Sequence, residues 1–128
     1  MKVLFISFFI LMATYAGAQT SDQYRQLVSQ ADSAFTGGDF KTAHDLYERA
    51  FAVNNDMARV IDRYNAACTW ALDNNRDKAF YHLNRVVNKG KFKDKNGIIN
   101  DKDLYSLHSD PRWDQMILQI EQNIKNSD

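Results

Sequence analysis

The feature that most constrains the fold is an internal repeat with a spacing of 36 residues. Small and apolar residues in one segment recur without a gap in the next, at helical spacing within each copy. The matched pairs are Ala31 and Ala67, Ala34 and Trp70, Gly38 and Asn74, Ala43 and Ala79, Tyr47 and Leu83, Ala50 and Val86, and Phe51 and Val87. One unit of two short helices cannot bury its apolar face alone, so the copies must stack. The repeat therefore predicts an all-α chain of antiparallel helical hairpins.

Breaks in the apolar pattern predict where the helices begin and end. Gly37 and Gly38 end the first helix, and Asp39 is suited to cap the second. The third helix is predicted from about Met57 to Leu72 and the fourth from about Arg76 to Asn88. Gly90 is predicted to be the C-cap of the fourth helix because glycine is common at that position.

The C-terminal part does not follow the repeat. A short helix is predicted over 101–107, and Asp110-Pro111 is a strong start signal for a last helix. The apolar stripe predicted for that helix consists of Trp113, Met116, Ile117, Ile120 and Ile124. Such a divergent end is expected of a capping element.

The N-terminus has the pattern of a secretory signal peptide. Lys2 precedes a mostly apolar run over 3–15, and Ala16-Gly17-Ala18 has the small-x-small form of a cleavage site. The run is shorter than the ~20 apolar residues of a membrane span, although an uncleaved membrane anchor stays an alternative. We predict a signal peptide over 1–18, cleavage near Ala18, and an exported domain over 19–128 in the periplasm or outside the cell.

Charge and cysteine content exclude several classes of protein. Sixteen basic residues balance sixteen acidic ones, so the chain lacks the basic excess of a nucleic-acid binder and no nucleic-acid partner is expected. Cys68 is the only cysteine, so the domain has no internal disulfide. No stable membrane anchor is expected after signal cleavage.

The repeated segments carry a recognisable motif. The first contains Gly38-Asp39-Phe40 with Ala43, Tyr47 and Ala50, and the second Tyr64-Asn65-Ala66-Ala67 with Trp70, Ala79 and Leu83. This pattern resembles the tetratricopeptide repeat (TPR) family, in particular small exported bacterial members. The resemblance implies two repeats, at about 24–57 and 60–93, with a C-terminal cap over 100–126, as a fragment of an α-α superhelix. The chain departs from the family in its spacing of 36, in the missing closing proline, and in Gln30 and Arg63 at positions that are usually apolar.

Catalytic and metal-binding motifs are not found. The spacing of His44, His82 and His108 does not match a metal-ligand motif, and both His44 and His82 are expected to be partly exposed. We therefore predict a protein that is not an enzyme and has no metal or cofactor. Four alternating lysines, Lys89, Lys91, Lys93 and Lys95, are a weak candidate for docking an acidic partner, a lipid surface or a nucleic acid, although a solvated loop is more common.

The family resemblance also implies a binding face. First helices of successive repeats line a concave surface that holds peptides or helices. The residues implied there are Arg25, Val28, Ser29, Asp32, Phe35, Ile61, Tyr64, Asn65, Cys68 and Leu72. Among them only Asn65 fits the family's carboxylate clamp, so the clamp is not predicted. The alternative is that these residues pack against the chain's own C-terminal helix.

These observations favour an exported protein–protein interaction module that binds a protein or peptide segment through the concave face. One alternative is a structural or self-associating envelope protein, which includes a homodimer. A small-ligand binder is a lesser alternative. The sequence does not identify the partner.

Overall fold

The computed structural model describes residues 21–127, which are helical and contain no strand. The first helix, α1, covers residues 21–36 of the described chain. The others are α2 (Phe40–Val53), α3 (Val60–Leu72), α4 (Arg76–Asn88), α5 (Lys95–Asn100), a 3-10 helix (Lys102–Leu107) and α6 (Pro111–Lys125). The all-helical class predicted from the sequence is confirmed over these residues. The predicted signal peptide, 1–18, lies outside the described residues, and none of the helices described is long and apolar enough to cross a membrane.

The 36-residue repeat extends to the backbone of the turns that join α1 to α2 and α3 to α4. Gly38 and Asn74 both have positive φ, 80° and 61°. The amide of Asp39 donates to the Ala34 carbonyl at 3.0 Å, and the amide of Asn75 donates to the Trp70 carbonyl at 2.9 Å. The side chains of Asp39 and Asn75 then cap α2 and α4 in the same way, each accepting from the amide three residues later at 3.1 Å.

Two apolar clusters hold the helices together. One joins α1 and α2 to Ala66 of α3, and the other joins α3 and α4 to α5, the 3-10 helix and α6. The four alanines at equivalent positions, Ala31, Ala43, Ala67 and Ala79, are fully buried, which lets the backbones of paired helices approach closely. Phe35 packs against both clusters and so links them.

The connections between helices differ from the sequence predictions in three places. Helix α3 begins at Val60 and not near Met57, because Asn55 and Asp56 both adopt left-handed backbone conformations ahead of it. Helix α5 was not predicted; the Asp94 carboxylate caps it by accepting from the Gly97 amide at 2.9 Å. Gly90 is not a left-handed cap.

The importance of Gly90 comes from close packing. A Cβ added there would lie 2.5 Å from the Val86 carbonyl oxygen and 2.9 Å from Cγ2 of Val60. The left-handed residue at this point is instead Lys91, with φ of 52°. Glycine at position 90 therefore allows the start of α3 to touch the end of α4.

Helix α6 starts as predicted, with Asp110 as N-cap and Pro111 in the first turn. Its buried stripe departs from the prediction at one end, because Ile124 is exposed and Asn123 is buried in its place. Asn123 Nδ2 donates to the carbonyl oxygens of Val87, at 2.8 Å, and Phe92, at 3.0 Å. These contacts satisfy carbonyls at and beyond the end of α4 that have no partner within the helix.

Candidate interaction surface

Four residues of the predicted concave face meet at one depression on α1. This α1 depression has a volume of about 500 Å³, and its predicted members are Arg25, Val28, Ser29 and Asp32. Its other lining residues are Ser21, Tyr24, Asn54 and Arg59. Arg59 is the N-cap residue of α3 and Asn54 is the C-cap residue of α2, so the depression lies between α1 and the loop that joins α2 to α3.

Two further predicted residues, Ile61 and Tyr64, lie in a second depression of about 410 Å³, named here the α3 depression. Val60 and Phe92 are also part of its lining. Arg59 lines the α1 depression and its neighbour Val60 lines the α3 depression, so the two adjoin at the start of α3.

The other four predicted residues line neither depression. Cys68 is 1% exposed and lies in the core, so its side chain does not face an open surface. Phe35, Asn65 and Leu72 are half-buried further along the helices. The structure therefore places six of the ten residues in two depressions, four along α1 and two in the first turns of α3. Of these six, Val28 is 3% exposed and forms only the floor of the α1 depression.

The chain covers part of α3 with its own residues. The Tyr64 hydroxyl donates to Asp101 Oδ2 at 2.6 Å, and the Tyr64 ring stacks on Phe92 with ring centres 5.7 Å apart. The covering element is the 3-10 helix, which packs on α3, whereas α6 packs on α4. The sequence left open that the C-terminal helix covers the concave face. In the structure the 3-10 helix is the element that packs on α3, and it covers only part of that helix.

Hydrogen bonds fix the walls of the α1 depression. The Tyr24 hydroxyl donates to Asp62, a buried carboxylate that Arg59 Nε also contacts at 2.8 Å. The Tyr47 hydroxyl donates to Asp32. Burial, followed by the Asp32 hydrogen bond, raises the pKa of Tyr47, and burial with the Asp62 bond raises the pKa of Tyr24. Both phenols are therefore protonated donors at neutral pH.

A buried polar cluster lies behind this surface, between α2, α3 and α4. Glu48 Oε1 accepts from Trp70 Nε1 at 3.1 Å and contacts His82 Nε2 at 2.7 Å. The other His82 nitrogen, Nδ1, lies 3.3 Å from Arg63 Nη1, and the Arg63 guanidinium stacks over the Phe51 ring at 4.6 Å. The His82 ring thus lies between an arginine donor and a carboxylate acceptor, which fixes its orientation.

The prediction that His44 and His82 are partly exposed is wrong, since both are buried. His44 stacks on Trp70 with ring centres 3.5 Å apart and contacts Asp73 through Nε2 at 2.8 Å. One feature of the sequence indicated this cluster: Arg63 lies at a position where the repeat pattern predicts an apolar side chain. A buried arginine needs acceptors, and their positions depend on the packing of three helices.

One group of three possible metal ligands occurs among the described residues. A ligand atom from each of Cys68, Asp101 and Asp103 lies within 4.8 Å of the others. Burial, followed by the charge of Asp101, raises the pKa of the Cys68 thiol, and burial raises the pKa of the Asp103 carboxyl. The geometry fits the attachment of the 3-10 helix to α3, since Asp101 accepts from both Tyr64 and Cys68.

Comparison with protein-family models, with curated proteins and with solved structures finds no significant match to this chain.

Proposed function

We propose that this chain is an exported protein–protein interaction module that binds a protein or peptide segment across the adjoining α1 and α3 depressions. The observation that carries the proposal is an exposed apolar pair in the α3 depression, directly after Arg59 of the α1 depression. Val60 and Ile61 are 41% and 55% exposed at the start of α3. Apolar side chains that are exposed together beside concave surface are typical of interaction sites.

The dimensions of the surface support a peptide-sized ligand. The depressions, of about 500 and 410 Å³, lie side by side and each has room for several side chains. An amphipathic helix or an extended segment can place successive side chains in such adjoining hollows. The combination of Ile61 and Tyr64 with Arg25 and Asp32 offers both apolar and charged contacts.

The walls are held in place before any ligand binds. Tyr64 is fixed by Asp101 and Phe92, and Tyr24 by Asp62. Side chains that are already ordered lose little conformational entropy when a complex forms. Pre-organisation of this kind favours recognition of a ligand. Because these polar groups form hydrogen bonds with one another, they are better suited to shaping a binding surface than to catalysis.

The TPR resemblance supports the same interpretation. In that family the first helix of each repeat contributes to the binding face, and α1 and α3 would be those helices, with the C-terminal segment as a cap. The signal-peptide pattern over 1–18 supports export to the periplasm or beyond. Fold resemblance alone does not define a ligand, so the proposal depends on the surface described above.

The test is co-purification of tagged chain from its native envelope fraction with two matched variants. Ile61→Glu places a charge in the α3 depression, and Leu118→Glu places the same charge at an equally exposed apolar residue on α6. We expect a protein that is captured by wild type and by Leu118→Glu but is lost with Ile61→Glu.

Two results would count against the proposal. Capture of the same protein by all three forms would show that the binding surface lies elsewhere on the chain. Capture of only a second copy of the chain would favour a self-associating structural protein, the alternative that the sequence left open. Circular dichroism of each variant establishes that loss of capture is not loss of folding.

A further inference from the structure

We infer that the bound segment carries an acidic side chain next to an apolar one, and that its carboxylate binds in a third depression on the other side of Val60. This inference rests on the proposed function, because it assigns a chemistry to the same partner. The third depression, named here the basic notch, has a volume of about 490 Å³. Its charged and exposed apolar lining residues are Asp56, Met57, Val60, Arg63, Arg85 and Lys89.

The notch has more positive than negative charge. Three cationic side chains, Arg63, Arg85 and Lys89, face one carboxylate, that of Asp56. Asp56 is already shared by two of them, since Arg63 Nη2 lies 3.3 Å and Arg85 Nη2 2.9 Å from its carboxylate oxygens. The cationic excess favours an anionic ligand.

The three cations differ in how far the fold already uses them. Arg63 is buried and is committed to the Asp56 carbonyl, at 2.7 Å, and to His82. Arg85 Nε is a buried donor with no acceptor in the described part of the chain. Among the described residues, no carboxylate lies within 4.0 Å of the Lys89 ammonium. Lys89 is therefore the group that an incoming carboxylate would contact, and Arg85, already paired with Asp56, lines the notch beside it.

Apolar surface adjoins this charge. Met57 is 66% exposed in the notch, and Val60 lines both the notch and the α3 depression. A segment lying across Val60 would place one side chain in the α3 depression and the next ones over Met57 and Lys89. The ligand that matches both is a peptide with aspartate or glutamate beside an aliphatic or aromatic residue.

The lysine-rich loop after α4 extends the positive surface. Lys91 and Lys93 are exposed and follow Lys89 directly, whereas Lys95 forms an ion pair with Glu121. Three of the four lysines noted in the sequence, Lys89, Lys91 and Lys93, are thus exposed charges, and Lys89 among them lines the notch. They would attract an acidic segment over a distance of about 10 Å at moderate salt.

Other anionic partners fit less well. Binding of single-stranded nucleic acid relies on exposed aromatic rings for base stacking, and Phe92, the aromatic residue of this loop, is half-buried against Tyr64. A membrane surface is broad, and the paired groups Arg63 and Arg85 lie within a concave notch. An acidic protein segment is the partner that can enter the notch and also cover Met57 and Val60.

The experiment selects ligands from random sequences. A random peptide library displayed on phage is panned against immobilised chain, residues 19–128, and the enriched peptides are sequenced. The most enriched peptide is then synthesised with a fluorescent label, and its Kd is measured by anisotropy for wild type, Lys89→Glu and Arg49→Glu. Arg49 is a basic residue on α2 outside the three depressions, so its reversal is the matched control. Met57→Ser is a second, uncharged variant of the notch.

We expect enrichment of aspartate or glutamate next to leucine, isoleucine or phenylalanine. Lys89→Glu should weaken binding about tenfold, because it removes an attraction and adds a repulsion, and Arg49→Glu should change little. Met57→Ser should also weaken binding, and added salt should weaken binding to wild type more than to Lys89→Glu.

The outcomes separate the two proposals. Peptides that bind and lose affinity with Ile61→Glu, but show no acidic enrichment or bind Lys89→Glu as well as wild type, would overturn this inference and leave the proposed function standing. Failure to enrich any peptide would overturn both. Binding of an oligonucleotide or of phosphatidylglycerol vesicles that Lys89→Glu abolishes, without acidic peptides, would assign the notch to another class of ligand and contradict the inference.

Discussion

Gly38 and Asn74 lie 36 positions apart, and both have a left-handed backbone conformation at the turn between two paired helices, with φ of 80° and 61°. The hydrogen bonds around them coincide as well, since Gly38 donates to Phe35 at 3.0 Å and Asn74 to Ala71 at 3.1 Å. Glycine and asparagine are the residues best tolerated in this conformation. At this turn the repeat thus conserves the backbone geometry, although the residues that adopt it differ.

Replacement of Gly38 by alanine should destabilise the fold through backbone strain alone. An added Cβ at Gly38 meets nothing within 4 Å, so no clash contributes. We expect Gly38→Ala to lower the free energy of unfolding by about 1 kcal/mol, measured by urea denaturation. Gly37→Ala is the control, because its Cβ would make only an ordinary contact, 3.4 Å from the Ser33 carbonyl, and its φ is not positive. Equal effects of the two variants would contradict the assignment.

The buried side-chain amide of Asn123 should contribute more to the free energy of unfolding than an exposed side-chain amide on the same helix. Asn123→Ala leaves the carbonyl oxygens of Val87 and Phe92 without their donor. We expect a loss of about 1–3 kcal/mol in the free energy of unfolding. Gln122→Ala, at an exposed neighbouring position, should change it by less than about 0.5 kcal/mol. Similar urea midpoints for the two variants would show that the attachment of α6 does not depend on these bonds.

Glu48 should stabilise the polar cluster between α2, α3 and α4. Glu48→Leu removes the acceptor of Trp70 Nε1 and of His82 Nε2, and His82 is almost fully buried. We expect a loss of about 1–3 kcal/mol, together with a changed tryptophan emission spectrum, because Trp70 loses its hydrogen bond. The matched surface change is Arg49→Leu on the same helix. If Glu48→Leu were as stable as Arg49→Leu, solvent would be replacing the lost acceptor.

Asp110 should make stability depend on pH in the acid range. Hydrogen bonds from the Arg112 side chain and then from its backbone amide lower the pKa of Asp110 from 3.8 to about 2. Since the unfolded chain binds the proton more readily, the stabilisation is present above pH 3.8 and is lost as pH falls towards 2. Asp110→Asn keeps a capping side chain. Its urea midpoint should fall less than that of wild type as the pH is lowered below 3.8. Identical acid limbs for the variant and wild type, or an NMR titration of Asp110 near its ordinary pKa, would contradict this.

Helical periodicity and local capping signals predicted the all-α class and several helix boundaries correctly. They placed α2 and α4, the turns at Gly38 and Asn74, and the start of α6 at Asp110, because local capping and turn chemistry determine these features. Helix α5 was missed, since six residues that include Gly97 show no apolar period. Asn123 was missed because its buried environment depends on carbonyls from a distant helix end.

The surface was predictable only in part. The family resemblance assigned Arg25, Ser29, Ile61 and Tyr64 to one face, and in the structure they line two depressions. Register could not show that the 3-10 helix packs on α3. The hydrogen bond that joins them runs from Tyr64 to Asp101, the N-cap residue of the 3-10 helix, across 37 positions of the chain. The basic notch likewise joins residues from α3, α4 and the loop between α2 and α3.

The central claim is that a separate protein occupies the surface at the start of α3. Its most direct test is photo-crosslinking in the native cell with benzoylphenylalanine at position 61 and, as a control, at position 118. Both native side chains are exposed and apolar, and only Ile61 lines a depression of the proposed surface. We predict an adduct with another protein from position 61 and none of that mass from position 118. The same adduct from both positions, or adducts only between copies of this chain, would contradict the claim.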